Sequence, residues 1–289
     1  MIRIAVLLLI TQDPLAVEKG EAAVTVKAGG KELLGYQLKK PAGSPLSVDS
    51  ACYFHPFATP KGVVVTDVAP ADHLHHRGIF LAWVEMHGKK SADFWGWGQY
   101  APKKDRVIVN RSAEGKGGGG AELKVRNEWT ADGEALVKED LEAVFTIQGT
   151  SSVLDLTYTL TVDQDLRLPR WAFSGFCLRA RKDGKAVIVN PDGEVKRPAP
   201  NHMKPETDWP AAPWYGYNIT LPDGDVVGTA VVDHPRNPPS LWHNAASIRM
   251  LNPCVVAPKE LVIKAGEPLV LRYRCVATDG PLPAALPGW

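Results

Sequence analysis

DLEAVFTIQGTSSVLDLTYTLTVD, from Asp140 to Asp163, decides the fold class. In its second half Leu154, Leu156, Tyr158, Leu160 and Val162 alternate with Asp155, Thr157, Thr159 and Thr161. Side chains of an extended chain point alternately to opposite faces, so this register gives one apolar and one polar face, as in a half-buried antiparallel strand. Working outward, VTVKAGGKELLGYQL is two short runs about Gly29-Gly30, which predicts a hairpin. GVVVTDV, GIFLAWVEM, RVIVNRS and AELKVRNEWTADGEALV continue the pattern. ELVIKAGEPLVLRYRCVA predicts a closing hairpin that turns near Ala265-Gly266-Glu267. No segment sustains a 3.6-residue period, so helix content should be low and the class is all-β.

The 289 residues exceed an ordinary domain but suit one large β-sandwich, expected over 21–289. Residues 1–20 open on MIRIAVLLLI, whose apolar run Ile4–Ile10 reads as an export leader or a first strand. Export is favoured over a cytoplasmic location. No apolar run is long enough to span a bilayer. Charges balance, 33 Lys+Arg against 32 Asp+Glu, without a basic stripe, so nucleic acid and acidic membrane surfaces are not expected partners. Cys52, Cys177, Cys254 and Cys275 form no CxxC pair, which excludes a zinc ribbon or thioredoxin-like motif. Buried thiols are favoured over disulfides.

Two stretches are easily misread. GKGGGG, Gly115–Gly120, lacks the Lys-Ser/Thr and helix of a phosphate loop and predicts a hairpin tip. The Pro-rich stretch from Pro191 to Pro213 reads as a long loop over one end of a sandwich rather than a linker, since similar strands flank it.

The chemistry concentrates in ADHLHHRG, Ala71–Gly78. His73, His75 and His76 are three of eight histidines, with Asp72 before them and Arg77 after. Imidazole is the side chain best suited to move protons or ligate a transition metal near neutral pH. If the segment is extended, His73 and His75 share one face and His76 takes the other. A solvated loop is the alternative. Glu85, on the apolar run that follows, must find a partner or shift upward, and it is the candidate carboxylate for acid/base work. Asp72 is the other. Arg77, Arg179 and Arg249 are candidate guanidinium clamps. Trp95 and Trp97 in DFWGWGQY, with Trp214 and Tyr215, are candidate sugar platforms. His55, His202, His234 and His243 are further histidines that could complete a site.

These residues carry a resemblance. YFHPFATPKGVVVT, ADHLHHRGIFLAW, DFWGWG, VVDHPRNPPSLWHNAAS and NPCVVAPKELVIKAGEPLVLRYRCVATDG, spanning Ala51 to Gly280, resemble the bacterial family of unknown function once labelled methane oxygenase PmoA. The resemblance implies an antiparallel β supersandwich similar to galactose mutarotases, and a carbohydrate-handling setting. It does not imply the oxygenase activity of the old label, whose membrane subunit is multi-spanning. WHNAAS and ATDG depart from the family pattern, which would have an arginine-containing segment after the Trp-His and a histidine before the Asp-Gly.

Three functions follow as expectations. The first is a carbohydrate-directed enzyme of epimerase, lyase or hydrolase type. Here His73, His75, His76 and Glu85 exchange protons, and Arg77, Trp95, Trp97, Arg179, Trp214, His234 and His243 hold a small-molecule or oligosaccharide substrate. The second is a divalent-metal enzyme with His73 and His75 on zinc or copper. The third is a non-catalytic sugar-binding protein.

Overall fold

The computed structural model describes residues 14–196, 209–287 and 289. Among them nearly all regular structure is strand, and one 3-10 turn, Ala246–Ile248, is the helical element. Two antiparallel sheets face each other. The larger, nine strands wide among the described residues, runs in the order Gly193–Glu194, Lys185–Asn190, Trp214–Thr220, Val226–Asp233, Leu269–Asp279, Ser151–Thr161, Glu134–Gln148, Ala121–Ala131, Arg106–Lys116. The smaller, seven wide, runs Ala16–Lys19, Ala23–Ala28, Lys31–Gln37, Tyr53–Phe57, Ile79–Ala82, Gly175–Arg179, Met250–Leu251.

The alternation from Leu154 to Val162 sets which face of the large sheet meets the smaller one. Leu154, Leu156, Tyr158 and Leu160 are buried, while Asp155, Thr157, Thr159 and Thr161 are half-buried on the other face. Across the ladder Leu156 lies between Ala143 and Tyr273, and Tyr158 between Leu141 and Leu271. These rows meet the smaller sheet: Phe176 stacks on Tyr273 with centroids 4.0 Å apart, and Phe57 meets Phe145 edge-on at 6.5 Å. A one-residue slip would turn Leu154, Leu156 and Leu160 out of this core at roughly 2 kcal/mol each.

The turns follow local chemistry. Gly29 and Gly30 have φ of 52° and 79°, which suits a two-residue hairpin between Ala23–Ala28 and Lys31–Gln37. Gly115 and Lys116 end the strand Arg106–Lys116, and Gly117–Gly120 form the hairpin tip that joins it to Ala121–Ala131. The strands beside the Pro-rich stretch, Lys185–Asn190 and Trp214–Thr220, are direct neighbours in one sheet.

One expected hairpin does not form. Leu261–Ile263 pairs with Leu166–Leu168, while Leu269–Asp279 enters the large sheet between Ser151–Thr161 and Val226–Asp233. Gly266 still turns the chain with φ 77°, but it hands the strand from one sheet to another. An alternating sequence satisfies any strand edge, so the partner is a tertiary choice. Among the described residues no disulfide joins the four cysteines; Cys177, Cys254 and Cys275 are buried and Cys52 is half-buried. The apolar run Ile4–Ile10 and His202 lie outside the described residues. No helix among the described residues is long and apolar enough to cross a membrane.

Candidate functional site

The histidine segment connects Tyr53–Phe57 to Ile79–Ala82 as consecutive turns rather than an extended strand. The His73 amide donates to Pro70 O at 2.9 Å, His76 N to His73 O at 2.9 Å, and Ala69 N to His76 O at 2.8 Å. Turns cancel the alternation expected of extended chain, so the three rings converge. Their centroids are 5.6 Å apart for His73–His75, 4.9 Å for His73–His76 and 4.6 Å for His75–His76. Gly78 makes the exit, with φ 57° and room for no side chain: a Cβ there would fall 2.1 Å from Phe54 O.

The rings open onto a cavity of about 140 Å³ lined also by Trp95, Trp97, Phe173, Ala245, Ser247, Ile248 and Met250. Trp95 and Trp97 are held by Asp93, whose buried carboxylate accepts the Gly96 amide at 2.7 Å and the Gly98 amide. Burial pushes the Asp93 carboxyl up, against the pull of those amide bonds. Gly96, at φ 105°, lets this loop lie on the cluster, since a Cβ would meet Val48 Cγ1 at 2.5 Å and His75 Cβ at 2.7 Å.

Beneath the cavity run two fully buried guanidiniums with different duties. Arg77 donates to the carbonyls of His75 (3.2 Å), Trp95 (3.4 Å) and Phe94 (3.0 Å) and covers the Phe80 ring at 4.3 Å. It ties the histidine turn to the tryptophan loop and does not line the cavity, so the expected substrate clamp is a structural brace. Burial brings its guanidinium down to about 10, still charged at neutral pH. Arg179, on the strand Gly175–Arg179, donates to His76 Nδ1 at 3.2 Å and to Asp72 Oδ1 at 2.9 Å.

Asp72 also pairs with Lys182, and its Oδ1 stands 3.5 Å from His73 Nδ1. Burial raises the Asp72 carboxyl, but Lys182 and Arg179 outweigh it and hold it at about 2. The imidazoles are all shifted toward the neutral form. Burial and then the neighbouring His73 and Arg77 bring His75 to about 3. Burial, His75 and Arg179 push His76 well down. His73 is lowered by burial and Arg179, with Asp72 opposing.

Guanidinium has no acceptor, so His76 Nδ1 must accept from Arg179 and the ring proton sits on Nε2. That tautomer leaves His76 no lone pair for a metal. Among the described residues no group of three or more His, Cys, Asp or Glu side chains is arranged to hold one. The charged Arg179 beside the rings further opposes a dication. The residues present do not fit the expected zinc or copper site on His73 and His75.

Several expected residues lie elsewhere. Glu85 accepts from His87 Nε2 at 2.6 Å and Trp171 Nε1 at 3.0 Å, and does not line the cavity. The partner that its apolar setting demanded is His87, one strand step away, rather than the cluster. Trp214 and His234 line a different depression with Trp289, and Tyr215 is fully buried in the core. His243 is buried behind Phe173, with ring centroids 5.4 Å apart. His55 bonds Thr66 at 2.9 Å, and Arg249 donates to the carbonyls of Arg181, Asp183 and Gly184. Phe173, Ser247 and Met250 were not expected at the site. They arrive from distant strands and loops, and no local pattern marks them. Asp93 could have been found: an Asp three and five residues before Gly96 and Gly98 is a turn-capping spacing.

Comparison with solved structures finds distant likenesses. A TPR-domain containing protein from Parabacteroides distasonis ATCC 8503 aligns at 11% identity and TM-score 0.43, over 92% of this chain and 49% of that one. A polysaccharide lyase aligns at 11% identity and TM-score 0.38, over 94% and 33%. The galactosidase domain of an alpha-galactosidase–sucrose kinase aligns at 9% identity and TM-score 0.39, over 93% and 41%. The chain thus spans between a third and a half of the length of these three. No curated protein matches it in sequence. A family model does match residues 23–286, and the chain belongs to that family, the family of unknown function DUF6807.

Proposed function

We propose that the protein is a carbohydrate-directed enzyme working by proton transfer in the cavity of His73, His75 and His76. One observation carries this: a single ion pair stands beside two imidazoles with opposite charges toward them. His73 Nδ1 faces the Asp72 carboxylate at 3.5 Å without a formed hydrogen bond, and His76 accepts from the Arg179 guanidinium bonded to that carboxylate. A carboxylate behind an imidazole favours its protonated form, which strengthens it as a base. A guanidinium behind an imidazole keeps it neutral with its proton on the far nitrogen. Acid–base catalysis needs two such groups with environments that push them apart.

Asp72 opposes, without outweighing, the burial and the Arg179 charge that lower His73, whereas nothing opposes them at His76, so His73 is the base of the pair and His76 the hydrogen-bond donor. His75, at about 3, is too weak a base at neutral pH and serves as an acceptor that orients the ligand. Trp95, Trp97 and Phe173 supply aromatic walls for the C–H face of a sugar. A cavity of about 140 Å³ takes one six-membered ring, close to the roughly 150 Å³ that holds benzene in an apolar protein cavity. The mutarotase kinship implied by the sequence resemblance belongs to this proposal.

The test is turnover on a panel of monosaccharides and disaccharides, followed by NMR for anomer exchange, epimerisation or cleavage. His73→Gln should cut the rate about a hundredfold or more while circular dichroism stays unchanged. Sugar binding without turnover would favour a binding protein. Turnover indifferent to both His73→Gln and His76→Gln would remove the cluster from the chemistry.

A further inference from the structure

The geometry points to a carbonyl-bearing sugar as substrate, with a C–H bond beside a keto or carboxylate carbon. Its carbonyl oxygen would accept the Nε2–H of His76. This rests on the acid–base reading above and narrows it from sugars in general to carbon acids.

Unused donors are the first ground. Arg179 occupies Nδ1 of His76, so the ring's opposite edge offers an N–H, and the ring lines the cavity at 2% exposure. Trp95 lines the same cavity with its indole Nε1 buried and without a hydrogen-bond partner. Buried donors in native proteins are nearly always satisfied, and a ligand oxygen in the cavity would satisfy the N–H of His76. Donors set where negative charge develops are the usual means of stabilising an oxyanion.

Charge is the second. Arg77 is fully buried with carbonyls and a phenyl ring as its partners, and no carboxylate among the described residues pairs with it. Arg179 shares its one carboxylate, Asp72, with Lys182. The field over the cavity is positive, which favours an enolate over a cationic sugar intermediate.

The third is the condition of the nearby acids. Asp72 is doubly ion-paired, Asp93 spends both oxygens on the Gly96 and Gly98 amides, and Glu85 is bonded to His87 and Trp171. Glycoside hydrolysis needs a carboxylic acid to protonate the leaving oxygen, and none of these three carboxyls can deliver that proton. Enolisation needs only a base and a neutral donor. His73 Nε2 takes the proton from the carbon beside the carbonyl. The C–H electron pair becomes the C=C bond, and the carbonyl π pair moves to oxygen. That oxyanion lies on the Nε2–H of His76. Return of the proton from His73 to the same carbon, after the enolate has turned its other face to the imidazole, yields an epimer. If instead the hydroxyl on that carbon passes its proton to the oxyanion and becomes the new carbonyl, return of the His73 proton to the former carbonyl carbon yields an isomer.

The experiment is incubation of the full chain in D2O with D-glucuronate, D-fructose and, as neutral controls, methyl β-D-glucoside and cellobiose, read by proton NMR and mass. Enzyme-dependent deuterium on the carbon beside the carbonyl is expected, a one-dalton gain. Exchange at C5 of glucuronate identifies a carboxylate substrate, and exchange in fructose a keto substrate. His76→Leu should lower that exchange about a hundredfold, and His76→Gln, which keeps an N–H, should restore part of it. Cleavage or anomer exchange of the sugars with no carbon-bound deuterium would overturn the carbonyl inference and leave the proton-transfer reading intact. Inert sugars throughout, with no binding, would overturn both.

Discussion

Replacing Glu139 by Gln should tilt the pH dependence of stability, because this carboxyl is buried between the two sheets. Its oxygens accept from Asn127 Nδ2 at 2.7 Å and Trp129 Nε1 at 2.8 Å, and Asn127 also reaches Tyr36 of the smaller sheet. Burial nevertheless pushes the carboxyl from its ordinary 4.5 up to about 7, against those two bonds. Below pH 4.5 both folded and unfolded chains hold the proton. Between 4.5 and 7 the folded chain holds it and the unfolded chain has released it, so rising pH favours unfolding. Above 7 the loss is complete. At about 1.4 kcal/mol per pKa unit, the wild type should lose roughly 2 to 3 kcal/mol between pH 5 and pH 8 from this group. Gln cannot titrate, but its amide N–H2 faces a donor, costing about 1 to 3 kcal/mol at every pH. Urea unfolding of both proteins from pH 5 to 8 should show the variant weaker at pH 5 and gaining on the wild type as pH rises. Other titrating groups cancel in the difference. A difference constant to about 0.5 kcal/mol would show that Glu139 is ionised in the fold throughout, and the burial argument would fail.

Four further outcomes are expected. Asp72→Asn removes the carboxylate behind His73 and should lower turnover of any substrate by about two to four orders of magnitude, with KM changed less, in steady-state kinetics. Gly96→Ala should destabilise the fold by about 1 to 3 kcal/mol in urea melts and displace the tryptophan loop, because its Cβ has no space beside Val48 and His75. Trp214→Phe, in the separate depression with His234, should leave turnover within about twofold of wild type. Protein purified without chelator should hold well under one equivalent of zinc or copper by elemental mass spectrometry. A stoichiometric metal lost in His73→Ala would reverse the tautomer argument for His76.

The strands were legible because a period of two needs no knowledge of partners, as Leu154 to Val162 shows. Hairpins were legible where the turn carried its own chemistry, as at Gly29-Gly30. The pairing of Leu261–Ile263 was not, because alternating sequence fits any edge. At the site, the clustering of His73, His75 and His76 announced itself by composition. Their convergence depended on backbone turns closed by Pro70 O and His73 O, and alternation concealed it. Arg179 is marked in the sequence only by its guanidinium, and it lies under the cluster, where its bond to Nδ1 sets the His76 tautomer. Glu85 on its apolar run and Arg77 beside the histidines both have other partners in the fold, since sequence distance says nothing about which buried charges meet.

The cavity draws its lining from the segments around residues 73–76, 95–97, 173 and 245–250, which are far apart in the chain and meet only when the strands that carry them are paired. A compound that fits it therefore binds the complete fold and not its fragments, and it raises the free energy of unfolding by mass action. At a hundred times its dissociation constant the gain is about 2.7 kcal/mol, several degrees or less in melting temperature for a chain of this size. The protein is thus its own sensor. A thermal-shift screen of uronates, ketoses and neutral glycosides could rank ligands before any product is known.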